Sequence, residues 1–215
     1  EWSILSYKDG LKNVAESLKI NTTLAHLDLS DNNICIEGLS LIGEGLKFNT
    51  GLKSLFLARS KITDRGLVAL LKGLIFNNSL TTLKINGNLI SVNGMVALTK
   101  ALRVNDSLTC LDMAVNHIGT SGMRYFSELL KSNLTLTSVD LTSNHICDKG
   151  LIILSESLKS NCALTSLNLM GNNFTRNGLR SLEEALNFNY SISSIYISGI
   201  LENGVVEHIN DLISS

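Results

Sequence analysis

LKINTTLAHLDLSDNNI, residues 18–34, returns in altered form as LKSNLTLTSVDLTSNHI at residues 130–146. The phrase L-x-x-L-x-L inside it begins every 28 residues along the chain. Its first residues are Leu24, Leu52, Leu80, Leu108, Leu136, Leu164 and Ile192. Apolar residues that alternate with polar ones at the end of the phrase predict a short β-strand. Self-similarity at such a period predicts a stack of repeated units instead of an ordinary globular core.

Each phrase is followed by a glycine and then by apolar residues at helical spacing. The glycines are Gly10, Gly38, Gly66, Gly94, Gly122, Gly150 and Gly178. After Gly66 come Leu67, Leu70 and Leu74, whose spacings of three and four place them on one face of a helix. Each unit is therefore predicted to contain one strand, one turn and one helix.

Two columns of asparagine recur with the units. The first column follows the predicted helices: Asn21, Asn49, Asn77, Asn105, Asn133, Asn161 and Asn189. We expect a structural role for it, because asparagine tolerates the left-handed conformation in which many helices end and its amide can bond nearby backbone. The second column follows the strands: Asn32, Asn88, Asn116, Asn144 and Asn172, with Ser60 in one unit. Buried amides there can satisfy backbone groups that the turn leaves unpaired.

The repeat predicts the arrangement of the whole chain. One unit cannot bury its own apolar face, but stacked units can. Strands that all run the same way give a parallel sheet on one side and helices on the other, and the wider helices curve the stack with the sheet inside. Residues 1–215 are predicted to form one domain. It comprises a partial repeat at 1–23 with a helix at about 9–19, six repeats at 24–191, and an atypical capping repeat at 192–215 with a helix at about 203–213.

The pattern L-x-x-L-x-L-x-x-N-x-I, followed by G-L-x-x-L-x-x-x-L-K-x-N, resembles the leucine-rich repeat family. The 28-residue unit is similar to the ribonuclease-inhibitor-like subclass, which occurs in sensor domains of NOD-like receptors and in secreted bacterial effectors. The resemblance implies an α/β fold, a right-handed solenoid shaped like a horseshoe, with a concave parallel sheet and convex helices. It also implies a non-catalytic module that binds a protein on the concave face, within a bacterial effector or an intracellular sensor. The family also includes regulators that activate small GTPases, which is the alternative function.

Composition narrows the class of partner. Among 215 residues, 18 basic and 19 acidic side chains leave a net charge of −1, without the basic excess that nucleic acid or an anionic membrane attracts. The longest apolar stretch, residues 67–76, is interrupted by Lys72 and Gly73 and is too short to cross a bilayer. The first residues do not have the pattern of a signal peptide. We expect a protein partner, with no nucleic acid, no membrane insertion and no small-molecule substrate.

The cysteines favour a reducing, cytoplasmic setting, which would be the host cytoplasm for a bacterial effector. Cys35 and Cys147 lie four repeats apart, about 20 Å at the usual strand spacing, and a disulfide needs Cα atoms within about 7 Å. We therefore expect free thiols at all four cysteines, which include Cys110 and Cys162. Six Asn-x-Ser/Thr sequons would suggest secretion. Five of them fall in the helix-ending asparagine column, so we do not interpret them as glycosylation sites.

No motif for catalysis or for a cofactor is present. The sequence contains no G-x-x-x-x-G-K-[ST], H-E-x-x-H or C-x-x-C, so we predict a protein that is not an enzyme and holds no cofactor or metal. His117 and His145 share a column and should lie about 5 Å apart on adjacent strands. We interpret them as exposed loop residues. A metal site is the less favoured interpretation.

The outward face of the sheet supplies the candidate binding residues. Side chains that flank the second leucine of each phrase point outward, and most of them are small and polar. The exceptions are Asp28, Phe56, Lys84, Asp112, Asp140, Met170 and Tyr196. Aromatic side chains such as Phe56 and Tyr196 often anchor interfaces, although they are also good strand formers. Asp112 and Asp140 repel each other across strands, so a partner's basic group would bind there, unless the pair is merely a solvated acidic patch.

Overall fold

The computed structural model describes residues 2–198, with side chains described from Gly10 onward. Seven helices alternate with seven strands over the described residues. The helices are α1 (Trp2–Ile20), α2 (Ile36–Phe48), α3 (Asp64–Leu74), α4 (Val92–Leu102), α5 (Gly119–Leu130), α6 (Asp148–Leu158) and α7 (Arg176–Leu186). The strands are β1 (His26–Asp28), β2 (Ser54–Phe56), β3 (Thr82–Lys84), β4 (Cys110–Asp112), β5 (Ser138–Asp140), β6 (Ser166–Asn168) and β7 (Ser194–Tyr196). The helix predicted near 203–213 lies outside the described residues.

The seven strands form one parallel sheet in chain order, from β1 to β7. In each neighbouring pair the aligned residues are 28 positions apart, so that His26 faces Ser54 and Asp112 faces Asp140. Parallel strands need a crossover connection, which here is one helix per unit. Each helix packs against the helices before and after it in the chain. The predicted α/β solenoid with a parallel sheet is therefore confirmed.

Strand and helix lengths differ from the prediction. Each strand has three residues, half the length of the six-residue L-x-x-L-x-L phrase from which it was predicted, because the backbone turns soon after it. Asp31 and Arg59 reach φ values of 62° and 50°, which ends the extended conformation. Helix α1 begins at Trp2 instead of near residue 9, since residues 2–9 contain no proline, glycine or asparagine that would stop a helix.

The apolar positions of the repeat form one continuous core. The central residue of each strand from β2 onward is buried, as Leu55, Leu83 and Leu111 illustrate. The leucines that follow the glycines are also buried, including Leu67 and Leu151. Each such side chain contributes roughly 1.5–3 kcal/mol when fully buried. The residues on either side of the strand centre are then free to vary without disturbing this core.

The first asparagine column links each unit to the one before it. Nδ2 of Asn105 donates to the carbonyl oxygens of Leu74 at 3.0 Å and Asn77 at 2.8 Å, both in the preceding unit. Its Oδ1 accepts from the N–H groups of Ser107 and Leu108 in its own unit. The same two bonds to carbonyls 31 and 28 positions earlier are made by Asn49, Asn77, Asn161 and Asn189.

The expected left-handed conformation at these asparagines is not observed. Asn49 is extended, with φ −75° and ψ 133°, and no member of the column is among the described residues with positive φ. Helix α3 ends at Leu74, three residues before Asn77, through the right-handed Ile75. Asparagine suits this position because its side-chain amide can donate and accept hydrogen bonds at the same time. The side chain therefore bridges two units, and the backbone of the residue does not form a left-handed helix cap.

Burial of the column also bears on the sequons. Asn77 and Asn105 are 1% and 3% exposed, and their Nδ2 atoms donate to backbone carbonyls. A glycan on either nitrogen would remove those bonds and would find no space. The structure thus agrees with the interpretation that these two sequons arise from the repeat.

The second asparagine column forms hydrogen bonds with the backbone of the turns that follow the strands. Nδ2 of Asn88 donates to the carbonyls of Leu57 and Ile85, at 2.9 Å each. Its Oδ1 accepts from the N–H groups of Ser60 and Ile62 in the preceding unit. Both columns therefore join adjacent units, one at each end of the strands.

The bridging role predicts the cost of removing one amide. Asn105→Ala leaves the buried carbonyls of Leu74 and Asn77 without these donors, and each such loss costs about 1–3 kcal/mol. We expect the free energy of unfolding to fall by roughly 2 kcal/mol or more, measured by urea denaturation.

Asn21→Ala is the matched control. Asn21 belongs to the same column, but it is exposed and its Oδ1 accepts only from its own segment, at Thr23 and Leu24. Its replacement should cost clearly less. Equal losses for the two variants would show that the bonds between units contribute nothing.

Candidate protein interface

The register of the sheet brings most of the predicted binding residues into one row. Asp28 faces Phe56, Phe56 faces Lys84, and each pairing continues to the next strand. The full row, which we call the sheet row, is Asp28, Phe56, Lys84, Asp112, Asp140, Asn168 and Tyr196. Met170 lies beside it, two residues after Asn168. The predicted residues are thus contiguous on one face of the sheet.

Phe56 and Lys84 contact each other at one end of the row. Nζ of Lys84 lies 5.2 Å from the centroid of the Phe56 ring. A cation over an aromatic face is worth about 0.5–1 kcal/mol at an exposed site. Phe56 is partly exposed, and the charge of Lys84 also acts on the neighbouring carboxylate of Asp112, whose pKa it lowers slightly. The 28-residue spacing places the two residues on adjacent strands, but their contact depends on side-chain rotamers and was not predicted from the sequence.

The two central carboxylates have different surroundings. Asp140 accepts from the N–H of Thr142 at 2.8 Å and from Nδ2 of Asn168 at 2.9 Å. Asp112 accepts from the N–H of Ala114 at 3.0 Å, with no side-chain hydrogen bond among the described residues. Desolvation by burial raises the pKa of Asp112 above its ordinary value, and the negative charge of Asp140 adds to this effect. The carboxylate of Asp112 is therefore the group in the row that gains most from a basic partner.

Asp28, in the first strand of the sheet, is stabilised as an anion. Hydrogen bonds from the Ser30 side chain and backbone lower the pKa of Asp28 below its ordinary value. The backbone bond joins the Ser30 N–H to Oδ1 at 2.9 Å. Folding therefore raises the pKa of Asp112 and lowers the pKa of Asp28.

The far end of the row is open and apolar. Met170 is 44% exposed and Tyr196 is 54% exposed. They lie on adjacent units, since Tyr196 aligns with Asn168 two residues before Met170. Exposed side chains of this size can be buried by a partner, while Phe56 is less exposed and has Lys84 over its ring.

The loops after the strands hold two pairs of polar side chains. Arg59 binds Asp31 through two donors, at 2.7 Å each, and this bidentate pair was missed by the sequence analysis because it depends on positive φ at both residues. His117 and His145 lie with ring centroids 5.7 Å apart and nearly parallel, close to the expected spacing. The described part of the chain contains no group of three or more metal-ligating side chains suited to a metal ion. No helix within it has the length and apolar character needed to cross a bilayer.

The opposed pKa shifts predict opposite pH dependences. The pKa of Asp112 is raised by folding, so its charge costs stability at neutral pH, and the cost disappears as the pH falls through its folded pKa toward the unfolded value of 3.8. Asp112→Asn, which keeps an oxygen acceptor for Ala114, should therefore raise the melting temperature at neutral pH and lose this advantage in acid.

Asp28→Asn is the control with the reverse sign. The pKa of Asp28 is lowered, so its charge stabilises the fold above the unfolded pKa, and this contribution is lost as the pH falls through the folded pKa. The variant should melt lower than wild type at neutral pH and approach it in acid. The same sign of change for both variants would refute the assignment.

Comparison with known proteins places the fold in a family. A family model described as a leucine-rich repeat matches residues 21–43, 48–71, 76–98, 104–127, 132–155 and 160–182. No curated protein matches the chain significantly. Among solved structures, the tropomodulin C-terminal domain of Caenorhabditis elegans has a TM-score of 0.50 and 16% identity, over 84% of this chain and 93% of that chain.

Leiomodin-1 actin-binding site 2 has a TM-score of 0.47 and 18% identity, over 93% of this chain and 85% of that chain. A TM-score below 0.5 supports no inference, and the identity to tropomodulin is low enough that the likeness concerns the fold alone. The six family matches carry the assignment because they extend over more than half of the sequence. The chain belongs to the leucine-rich repeat family.

Proposed function

We propose that this chain is a non-catalytic module that holds a partner protein on the outward face of its sheet. Domains of this family generally act in protein–protein interaction, and the family match indicates no enzymatic activity. The observation that carries the proposal is the sheet row. Its seven aligned positions include an aromatic–lysine pair, three aspartates and an exposed tyrosine.

The fold itself does not require these side chains. The neighbouring outward column, two residues earlier in each strand, contains mostly small residues: His26, Ser54, Thr82, Cys110, Ser138, Ser166 and Ser194. The core is filled by the residues between the two columns, such as Leu83 and Leu111. Large and charged groups in the sheet row are therefore available for binding.

The row also has dimensions and chemistry that suit a protein. Five strand spacings separate Phe56 from Tyr196, roughly 24 Å, which fits an ordinary protein interface better than a small ligand that needs a closed pocket. Burial of Met170 and Tyr196 would supply the apolar contact. The positive charge of a basic side chain beside Asp112 would offset both the cost of its desolvation and its repulsion by Asp140.

The proposed setting is the cytoplasm, with the chain acting within a bacterial effector or an intracellular sensor of the ribonuclease-inhibitor-like type. This proposal draws support from four free thiols, three of them exposed, and from the burial of Asn77 and Asn105. The GTPase-activating alternative has no supporting observation among the described residues.

The test compares two surfaces of the same protein. Immobilised wild type would capture partners from a lysate, with the double variant Met170→Ala/Tyr196→Ala and the helical-face variant Glu128→Lys in parallel. The captured protein would then be purified and titrated by calorimetry. We expect Met170→Ala and Tyr196→Ala, made singly, each to weaken binding by about 1–3 kcal/mol, and Glu128→Lys to leave it unchanged.

Asp112→Asn adds an electrostatic readout. Because the variant lacks one negative charge, it should have a lower association rate constant and a weaker dependence of that rate on salt. The dissociation rate constant should change less. Surface plasmon resonance measures both rate constants. If the row variants bind like wild type while Glu128→Lys abolishes binding, the partner occupies the helical side and the proposal is wrong.

A further inference from the structure

A second surface lies at the ends of the helices, away from the sheet row. Its residues are not the same in all units. The residue before the asparagine of the first column is large, apolar and more than half exposed in four consecutive units. We call these residues the helix-end ridge: Ile20, Phe48, Phe76 and Val104. The repeat pattern does not predict this column, because its members lie outside the buried repeat positions.

Packing does not require apolar residues in the ridge. The equivalent positions in two later units are Ser132 and Ser160, where helices α5 and α6 still end and Asn133 and Asn161 still bridge to the preceding unit. A serine is thus sufficient for the fold. Exposed Phe48 and Phe76 leave apolar surface in water, which is unfavourable unless something covers it.

The charges beside the ridge also depart from the rest of the chain. In three units a glutamate pairs with the lysine three residues later, as Glu16 does with Lys19 and Glu128 with Lys131. In the units of Phe76 and Val104 that glutamate position holds Lys72 and Lys100.

The resulting positive charge is not neutralised within the described chain. Lys47, Lys72, Lys100 and Arg103 form no ion pair there. Nζ of Lys47 instead lies 5.5 Å from the ring centroid of Phe48 and 5.1 Å from that of Phe76. The acidic residues in the same segments are Glu44 and Asp106. Apolar side chains and unpaired cations therefore coincide in the same units.

From this coincidence we propose that the helix-end ridge docks an acidic amphipathic segment of a partner protein. Apolar side chains of that segment would cover Phe48, Phe76 and Val104, and its carboxylates would pair with Lys72, Lys100 and Arg103. A second copy of this chain fits less well, because a symmetric contact would place the same positive surface against itself. The proposal is independent of the sheet row, since the two surfaces share no residue.

The probe is a fluorescein-labelled acidic peptide of about 20 residues, with leucines at i, i+3, i+4 and i+7 on one helical face and glutamates elsewhere. A second peptide replaces every glutamate by lysine. Fluorescence anisotropy measures binding of each to the full chain at low and high salt. The acidic peptide should bind, more weakly at high salt because the charges are exposed, and the basic peptide should not.

Two double variants test the two components. Phe48→Ser/Phe76→Ser introduces the residue found in this column in other units. It should weaken binding of the acidic peptide by at least about tenfold. Lys72→Glu/Lys100→Glu introduces the glutamate found elsewhere in that column and should weaken it about as much while removing its salt dependence. Phe188→Ser is the matched control: Phe188 is an exposed phenylalanine of the same column, beside Glu183 and Glu184, and its replacement should have no effect.

Every other outcome overturns the proposal. Equal binding of both peptides would show that charge does not select the partner, and absence of binding by both would show that the ridge takes no such segment. Binding to anionic phosphatidylserine vesicles that the ridge variants abolish, without binding of the peptide, would make the ridge a membrane contact. Self-association in sedimentation that Phe48→Ser/Phe76→Ser abolishes would make it a contact between copies.

Discussion

The amide of asparagine at the end of each helix is the constraint on which this structure depends. Carbonyl groups at a helix end have no partner within the helix, and a stack of short units creates such an end every 28 residues. Asn105 and its equivalents donate to those carbonyls from the next unit and accept from the amides that lead into the strand. Because an amide both donates and accepts, aspartate or leucine could not replace it. These bonds hold adjacent units in the register in which the strands align and the leucines are buried.

Sequence periodicity predicted the features that recur in every unit. The parallel sheet, the helix in each unit and the alignment of Asp112 with Asp140 follow from the spacing of leucines and glycines alone. The backbone conformation at Asn49 was not predicted correctly, because left-handed and bridging roles select the same residue and only the structure separates them. The length of α1 was also missed, since the helix extends past the start of the repeat pattern.

Features that do not recur were harder to predict. The outward positions of Tyr196 and Met170 were predicted from the repeat, and their exposure agrees with that orientation. By contrast, the contact between Lys84 and Phe56 and the pair of Arg59 with Asp31 depend on rotamers and turn conformations that a pattern does not encode. The helix-end ridge was not predicted because its members are exposed and lie outside the buried positions that define the repeat.

The central claim, that asparagine amides join each unit to its neighbour, is tested most directly by native-state hydrogen exchange on Asn161→Ala. Asn161 donates to the carbonyls of Leu130 and Asn133 and accepts from the amides of Ala163 and Leu164. The account predicts that exchange at Ala163 and Leu164 accelerates most, that strands β5 and β6 follow, and that β1 and β2 change least, as expected for a linear array of coupled units. Unchanged protection at Ala163 and Leu164, relative to β1 and β2, would contradict it.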